Sequence, residues 1–163
     1  MFLRKVSYCT LVLVALALAL LMLFHLTTFV YGQVIGPGAD LRGANLRDAN
    51  LTDADLRGAD LREADLRRSI LSGADLSGAN LSGANVIDAD LRGAGLSGAL
   101  YDGATLFPDG LDPMVVGMLL IASGTDLSGV DLRDTDLTGA NLSQTDLSGA
   151  GLRGANLAEV NLT

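Results

Sequence analysis

The chain has 163 residues, a formal net charge of −8, one Cys, one His and no Trp. That length suggests a single domain, but Cys9, His25 and the only lysine, Lys5, all fall within residues 1–32. Beyond them the charge is −10, because Arg4 and Lys5 are lost and every acid remains; thiol, lysine and histidine catalysis are excluded, and an acidic surface whose only aromatic residues are Tyr101 and Phe107 does not suit nucleic acid.

Residues 1–32 have the order of an export signal: a short basic start with Arg4 and Lys5, an apolar run from Leu11 to Phe24, then Val30-Tyr31-Gly32. Small or branched residues at the first and third positions of that tripeptide suit cleavage before Gln33. The competing reading is an uncleaved hydrophobic helix that contacts the membrane through residues 6–30, since about 20 residues span a bilayer and the basic pair would hold the N-terminus in the cytoplasm. Both readings place the remainder outside the cytoplasm: in the periplasm, a thylakoid lumen or the extracellular space, free or anchored by the N-terminal helix. Cys9 and His25 read as an apolar filler and an interfacial residue. Residues 33–38 form a short linker.

From residue 39 to 108 a unit A-[D/N]-L-x-x recurs every five residues, beginning with Ala39-Asp40-Leu41-Arg42-Gly43 and Ala44-Asn45-Leu46-Arg47-Asp48. A period of five fits neither common element: on a helix the leucines precess around the cylinder, and in a strand they alternate between faces. Every leucine points inward only if the chain turns a corner once per unit and coils around its own leucines, each coil stacking on the last. Glycine in the fifth slot of many units supplies permissive corners.

The period breaks at residues 109–124, an interrupting loop or short helix. Asp112 suits an N-cap and Pro113 the first helical position, although Val115, Val116 and Gly117 are poor helix formers. Leu106 and Leu127 are 21 residues apart, one residue more than four units, so a bulge restores register. The apolar stretch within the break makes Met114, Val115, Met118 and Leu119 the candidate protein contact. Repeats resume over residues 125–163, with Thr125, Val130, Thr135, Thr145 and Val160 in place of alanine.

The tandem motif, present in over twenty units, resembles the pentapeptide-repeat proteins. That resemblance implies an all-β fold, a right-handed quadrilateral β-helix with four units per coil, here preceded by the N-terminal hydrophobic helix. It implies that the central residues point inward: Leu41 through Leu96 at intervals of five with Val86 among them, then Tyr101 and Leu106, and Leu127 through Leu162. The small residue two positions earlier also points inward, a set that runs from Ala39 to Ala104 with Ser69 as its one polar member. The stretch around Tyr101 to Pro113 looks like the segment that closes the coil in many members, although here repeats follow it.

With four units per coil, residues twenty apart stack about 4.8 Å from one another, Asp40 under Asp60 and Asp48, Arg68 and Asp88 in one ladder. Carboxylate rows of this kind could hold a hard cation, but they match the ordinary motif, lack the glycine-rich calcium repeat, and have Arg42, Arg47, Arg57, Arg62 and Arg67 beside them. The expectation is no catalytic residue, no metal site and no cofactor. The function read from the chain is a non-enzymatic exported structural or protein-interaction solenoid with an unknown protein partner and no direct nucleic-acid binding. The alternative is an acidic mimic of DNA that binds a topoisomerase-like enzyme, as topoisomerase-protecting members of the family do; export separates the chain from such a target. Unpaired edges at the first and last coils add end-to-end self-association.

Overall fold

The computed structural model describes residues 28–30 and 33–163. The signal or anchor and the hydrophobic helix expected over residues 1–32, with Arg4, Lys5, Cys9 and His25, lie outside the described residues apart from Thr28–Val30. Those three form strand β1, antiparallel to β2 (Gln33–Ile35), with Thr28 opposite Ile35. Ile35 is buried at the start of the core. Among the described residues no helix is long and apolar enough to cross a membrane.

From Asp40 onward the chain is a four-sided coil. Parallel bridges join Asp40 to Asp60 to Asn80, Asn45 to Asp65 to Asn85, Asn50 to Ile70 to Asp90, and Asp55 to Asp75 to Gly95. Each side donates upward and downward: Leu41 N–H reaches Asp60 C=O at 2.8 Å, and Asp60 N–H reaches Ala39 C=O at 2.9 Å. Each corner is closed by the small residue's N–H on the preceding leucine's C=O, as from Ala44 to Leu41 at 3.0 Å. The residue before it adopts positive φ, 59° at Gly43 and 57° at Arg68. Glycine reaches that region freely, whereas a side chain costs roughly 1–2 kcal/mol there. The Asp or Asn slot also has a local cause. Its Oδ1 accepts the N–H two residues on, 3.1 Å from Thr52 to Asn50 and 3.0 Å from Ser77 to Asp75, a turn that only a short side-chain carbonyl can cap.

The leucines from Leu41 to Leu81, with Val86 and Leu96, are buried together with the alanines from Ala44 to Ala89. Ser69 is buried as well, and its hydroxyl has no hydrogen-bond partner among the described residues. An unsatisfied buried hydroxyl is a net cost, so Ser69→Ala is expected to raise stability by about 1 kcal/mol. Thermal unfolding checks this, and a lower melting temperature would show that the hydroxyl has a partner.

Two expectations for the break need correction. Leu106 does not point inward; it is 47% exposed. Asn80 pairs with Leu100 twenty residues on, but Asn85 pairs with Leu106, so the extra residue sits between these pairs, ahead of the interruption. Asp102 organises the bulge, its Oδ1 accepting from Gly83 N–H at 2.9 Å, Ala104 N–H at 3.0 Å and Thr105 N–H at 3.1 Å. Thr105 is buried in the small slot, Leu106 moves to the polar slot above Asn85, and Phe107 takes the central place and packs on the core. Tyr101 is half-buried, its ring edge-on to Phe107 at 5.5 Å.

Of the loop or short helix expected over residues 109–124, the structure forms a loop with a single turn and no helix. Asp112 caps Met114 N–H at 3.0 Å and Met118 N–H reaches Pro113 C=O at 2.9 Å, but positive φ at Gly117 ends the turn. The β-branched Val115 and Val116 do not favour continuing it. Strand β4 (Leu119–Leu120) then lies parallel to β3 (Leu100–Tyr101), so the chain is back on the first stack before it leaves.

A second stack follows, with bridges from Asp126 to Asp146, Asp131 to Gly151, Asp136 to Asn156 and Asn141 to Asn161. It does not continue the first stack's axis. Asp136 hydrogen-bonds Arg62, 74 residues earlier; in one continuous stack that separation is between three and four coils, roughly 17 Å at about 4.8 Å per coil. The second stack therefore lies beside the first. Its core of Ile121, Leu127, Leu132, Leu137 and Leu142 also contains Leu100. Leu100 occupies the outward slot that Asn80 holds one coil below, yet is only 2% exposed. Its backbone stays in the first stack while its side chain joins the core of the second.

Candidate functional site

The junction of the stacks builds a polar cluster on one side of the first. Arg62 is held by Asp60, with Nε to Oδ1 at 2.9 Å and Nη2 to Oδ2 at 2.7 Å, and its Nη2 also donates to Asp136. Its side chain is 14% exposed. Asn80 Nδ2 donates to the Asp136 C=O at 3.0 Å, and Thr138 donates its hydroxyl and N–H to the Asp136 carboxylate. The hydrogen bonds that Arg62 donates to Asp60 and then, against burial, to Asp136 raise its pKa above its ordinary value. Burial pushes the Asp136 carboxyl up, but the bonds from Thr138 and Arg62 outweigh it and hold the pKa at about 2. Above this cluster opens a cleft of about 1040 Å³, walled by Arg42, Ser82 and Asp102 of the first stack and by Thr138 and Asn141 of the second, with Ile121 among its lining residues.

Elsewhere several carboxylates pair with arginines on their own side of the coil. Arg57 binds Asp55 at 2.8 and 2.6 Å, Arg92 binds Asp90 at 2.8 and 2.7 Å, and Arg67 and Arg133 bind Asp65 and Asp131. Arg68 reaches down the ladder to Asp48 at 2.7 and 2.6 Å. Exposed pairs of this kind contribute little each. No group of three or more potential metal ligands occurs among the described residues.

Side-chain hydrogen bonds from Arg67, Arg92 and Arg133 hold Asp65, Asp90 and Asp131 at about 2 as well. These pKa values are depressed relative to an unfolded carboxyl near 3.8, so their stabilisation is complete above that value and is lost as pH falls towards 2. The melting temperature is expected to change little between pH 7 and pH 5 and to make most of its acid decline between pH 4 and pH 2. A drop centred near pH 6 would contradict these pairings.

The four candidate contact residues do not share one surface. Met114 and Val115 protrude from the turn, 76% and 81% exposed. Met118 is buried in the first core and Leu119 is half-buried against the second, so these two hold the turn's base. The roles of Leu100, Asn80 and Asp136 at the junction were not apparent from the repeat; Leu100 is an apolar residue in the Asp/Asn slot, but so is Ile70, which stays exposed.

Five-residue sides stacked around a leucine core define a β-helical solenoid. Within that class the chain belongs to the pentapeptide repeat family, whose repeats match in eight copies over residues 37–68, 59–98 and 123–163, and the fold is a right-handed β-helix. Among curated proteins none matches the chain. Similar solved structures include HetL, a pentapeptide repeat protein involved in heterocyst differentiation regulation in the cyanobacterium Nostoc sp. strain PCC 7120, at 29% identity over 76% of this chain and 60% of that one, with a TM-score of 0.29. A pentapeptide repeat protein of the Arabidopsis thaliana thylakoid lumen is 24% identical over 76% of this chain and 65% of its own, with a TM-score of 0.26. QnrB1, a plasmid-mediated fluoroquinolone resistance protein, is 20% identical over 76% of this chain and 58% of its own, with a TM-score of 0.28. The chain spans less than two thirds of the length of each of the three.

Proposed function

We propose that the chain is a non-enzymatic scaffold that docks another protein outside the cytoplasm, with Met114 and Val115 as the contact. The observation carrying this reading is the turn itself: two large apolar side chains stand in solvent on a base fixed by Met118 and Leu119. Large exposed apolar side chains on an ordered base suit a protein contact. The Asp and Asn side chains cap turns or pair with arginine and do not converge on a reacting centre, which supports a role without catalysis. The basic pair and apolar run of residues 1–32 support export. The same charge pairing weighs against imitation of duplex DNA, because many of the carboxylates that would stand for phosphates already have guanidinium partners.

A photo-crosslinking residue at Val115, in the cell that makes the protein, is expected to give one discrete adduct with another protein. Met114→Asp should abolish that adduct, and the same probe at exposed Ile70 should not form it. No adduct at Val115, or the same adducts at both positions, would overturn the proposal.

A further inference from the structure

We propose that the cleft between the stacks binds an extended basic segment of a partner protein, which pairs with the open lower edge of the second stack. This goes beyond the apolar turn and does not depend on it. Where one coil rests on another in regular register, three groups of the upper coil face down. The polar-slot residue uses its N–H and its C=O, as Asp146 does to Thr125 C=O at 3.0 Å and from Leu127 N–H at 2.8 Å. The residue after the leucine uses its C=O, as Ser148 does from Gly129 N–H at 2.9 Å. At the cleft the first coil of the second stack has no such coil beneath it. Asn141 N–H and C=O and Thr138 C=O therefore have no backbone partner among the described residues, and both residues line the cleft. The edge takes a donor where one is in reach: Asp136 C=O accepts the side-chain amide of Asn80.

An N–H and C=O on the same residue are the pair that one residue of an added strand satisfies, which is how extended peptides join sheet edges. The charge of the cleft selects the occupant. Asp40, Glu63, Asp102 and Asp136 line it against Arg42 and Arg62, and those two guanidiniums are already bonded to Asp40 and to Asp60 and Asp136. The cleft is thus negative, with apolar lining at Ile121 and Leu137, and it fits a strand that alternates basic and apolar side chains.

The probe is a fluorescein-labelled, end-blocked peptide of alternating lysine and valine, titrated by anisotropy at low salt against the whole chain, with a second peptide of the same sequence N-methylated on alternate residues. The unmodified peptide should bind saturably. The N-methylated one should bind about tenfold more weakly, reflecting the loss of two backbone hydrogen bonds at constant charge. Ser82→Trp, which fills the cleft from an outward slot, should weaken binding to a similar extent, while Ser72→Trp on another side of the same stack and Met114→Ser with Val115→Ser should not. Absence of saturable binding, equal binding of both peptides, or full binding to a folded Ser82→Trp protein would each overturn the proposal.

Discussion

Leu100→Asn is expected to melt the second stack and leave the first folded, although it restores the Asp/Asn slot of the repeat. In the first stack the outward position next to Ala99 normally carries a polar residue, and Asn80 in the equivalent place one coil below is accommodated. In the second stack the same substitution removes the side chain that closes the core of Ile121, Leu127, Leu132, Leu137 and Leu142. Emptying a buried leucine site costs about 2–5 kcal/mol, and an amide left without partners adds about 1–3 kcal/mol. A unit of some forty residues has a stability of roughly 2–6 kcal/mol at typical values per residue, so the loss is of the same size as the whole. Hydrogen exchange should show protection lost over residues 125–163 and kept over residues 40–95. Equal protection throughout would mean that Leu100 does not support the second stack.

The next largest effect is expected at the centre of the first stack. Leu76 is buried between complete coils and Ser77, the next residue, faces outward with its hydroxyl on Asp75 at 2.6 Å. Leu76→Lys places an unpaired charge in the core and should unfold the stack. Ser77→Lys puts the amine beside Asp75, where Arg57 already pairs with Asp55 on the same side, and should alter stability by less than about 0.5 kcal/mol. Similar thermal shifts for the two variants would contradict the inward and outward assignment of the repeat.

Much of this architecture was readable in the chain because one residue type recurs at one interval. A leucine every five residues, with a small residue two places before it, leaves a coil that turns one corner per unit as the arrangement that buries them all; the four units per coil were implied by the family resemblance, and Leu41 to Leu81 lie where that rule puts them. The rule weakens where side chains do two things at once. At Tyr101 the inward residue packs on the core as the rule has it, but at Leu106 the bulge capped by Asp102 shifts the register by one and puts Phe107 against the core instead. The direction of the second stack was not readable. It depends on an outward leucine finding a second core and on Arg62 meeting Asp136, long-range contacts that carry no periodic signal. The contact residues divide for a similar reason: Met114 and Val115 are lifted by the Asp112 cap, while Met118 and Leu119 return to the coil.

The lateral packing of the two stacks is the claim on which the cleft depends, and cross-linking measures it most directly. Glu63 and Thr138 are exposed and line the same cleft, so Glu63→Cys with Thr138→Cys, in a protein carrying Cys9→Ser, should be joined within one molecule by a short bismaleimide in high yield. On a single continuous axis these positions would be separated by between three and four coils, roughly 18 Å at about 4.8 Å per coil. Failure of the short reagent where a long one succeeds would place the second stack on top of the first rather than beside it.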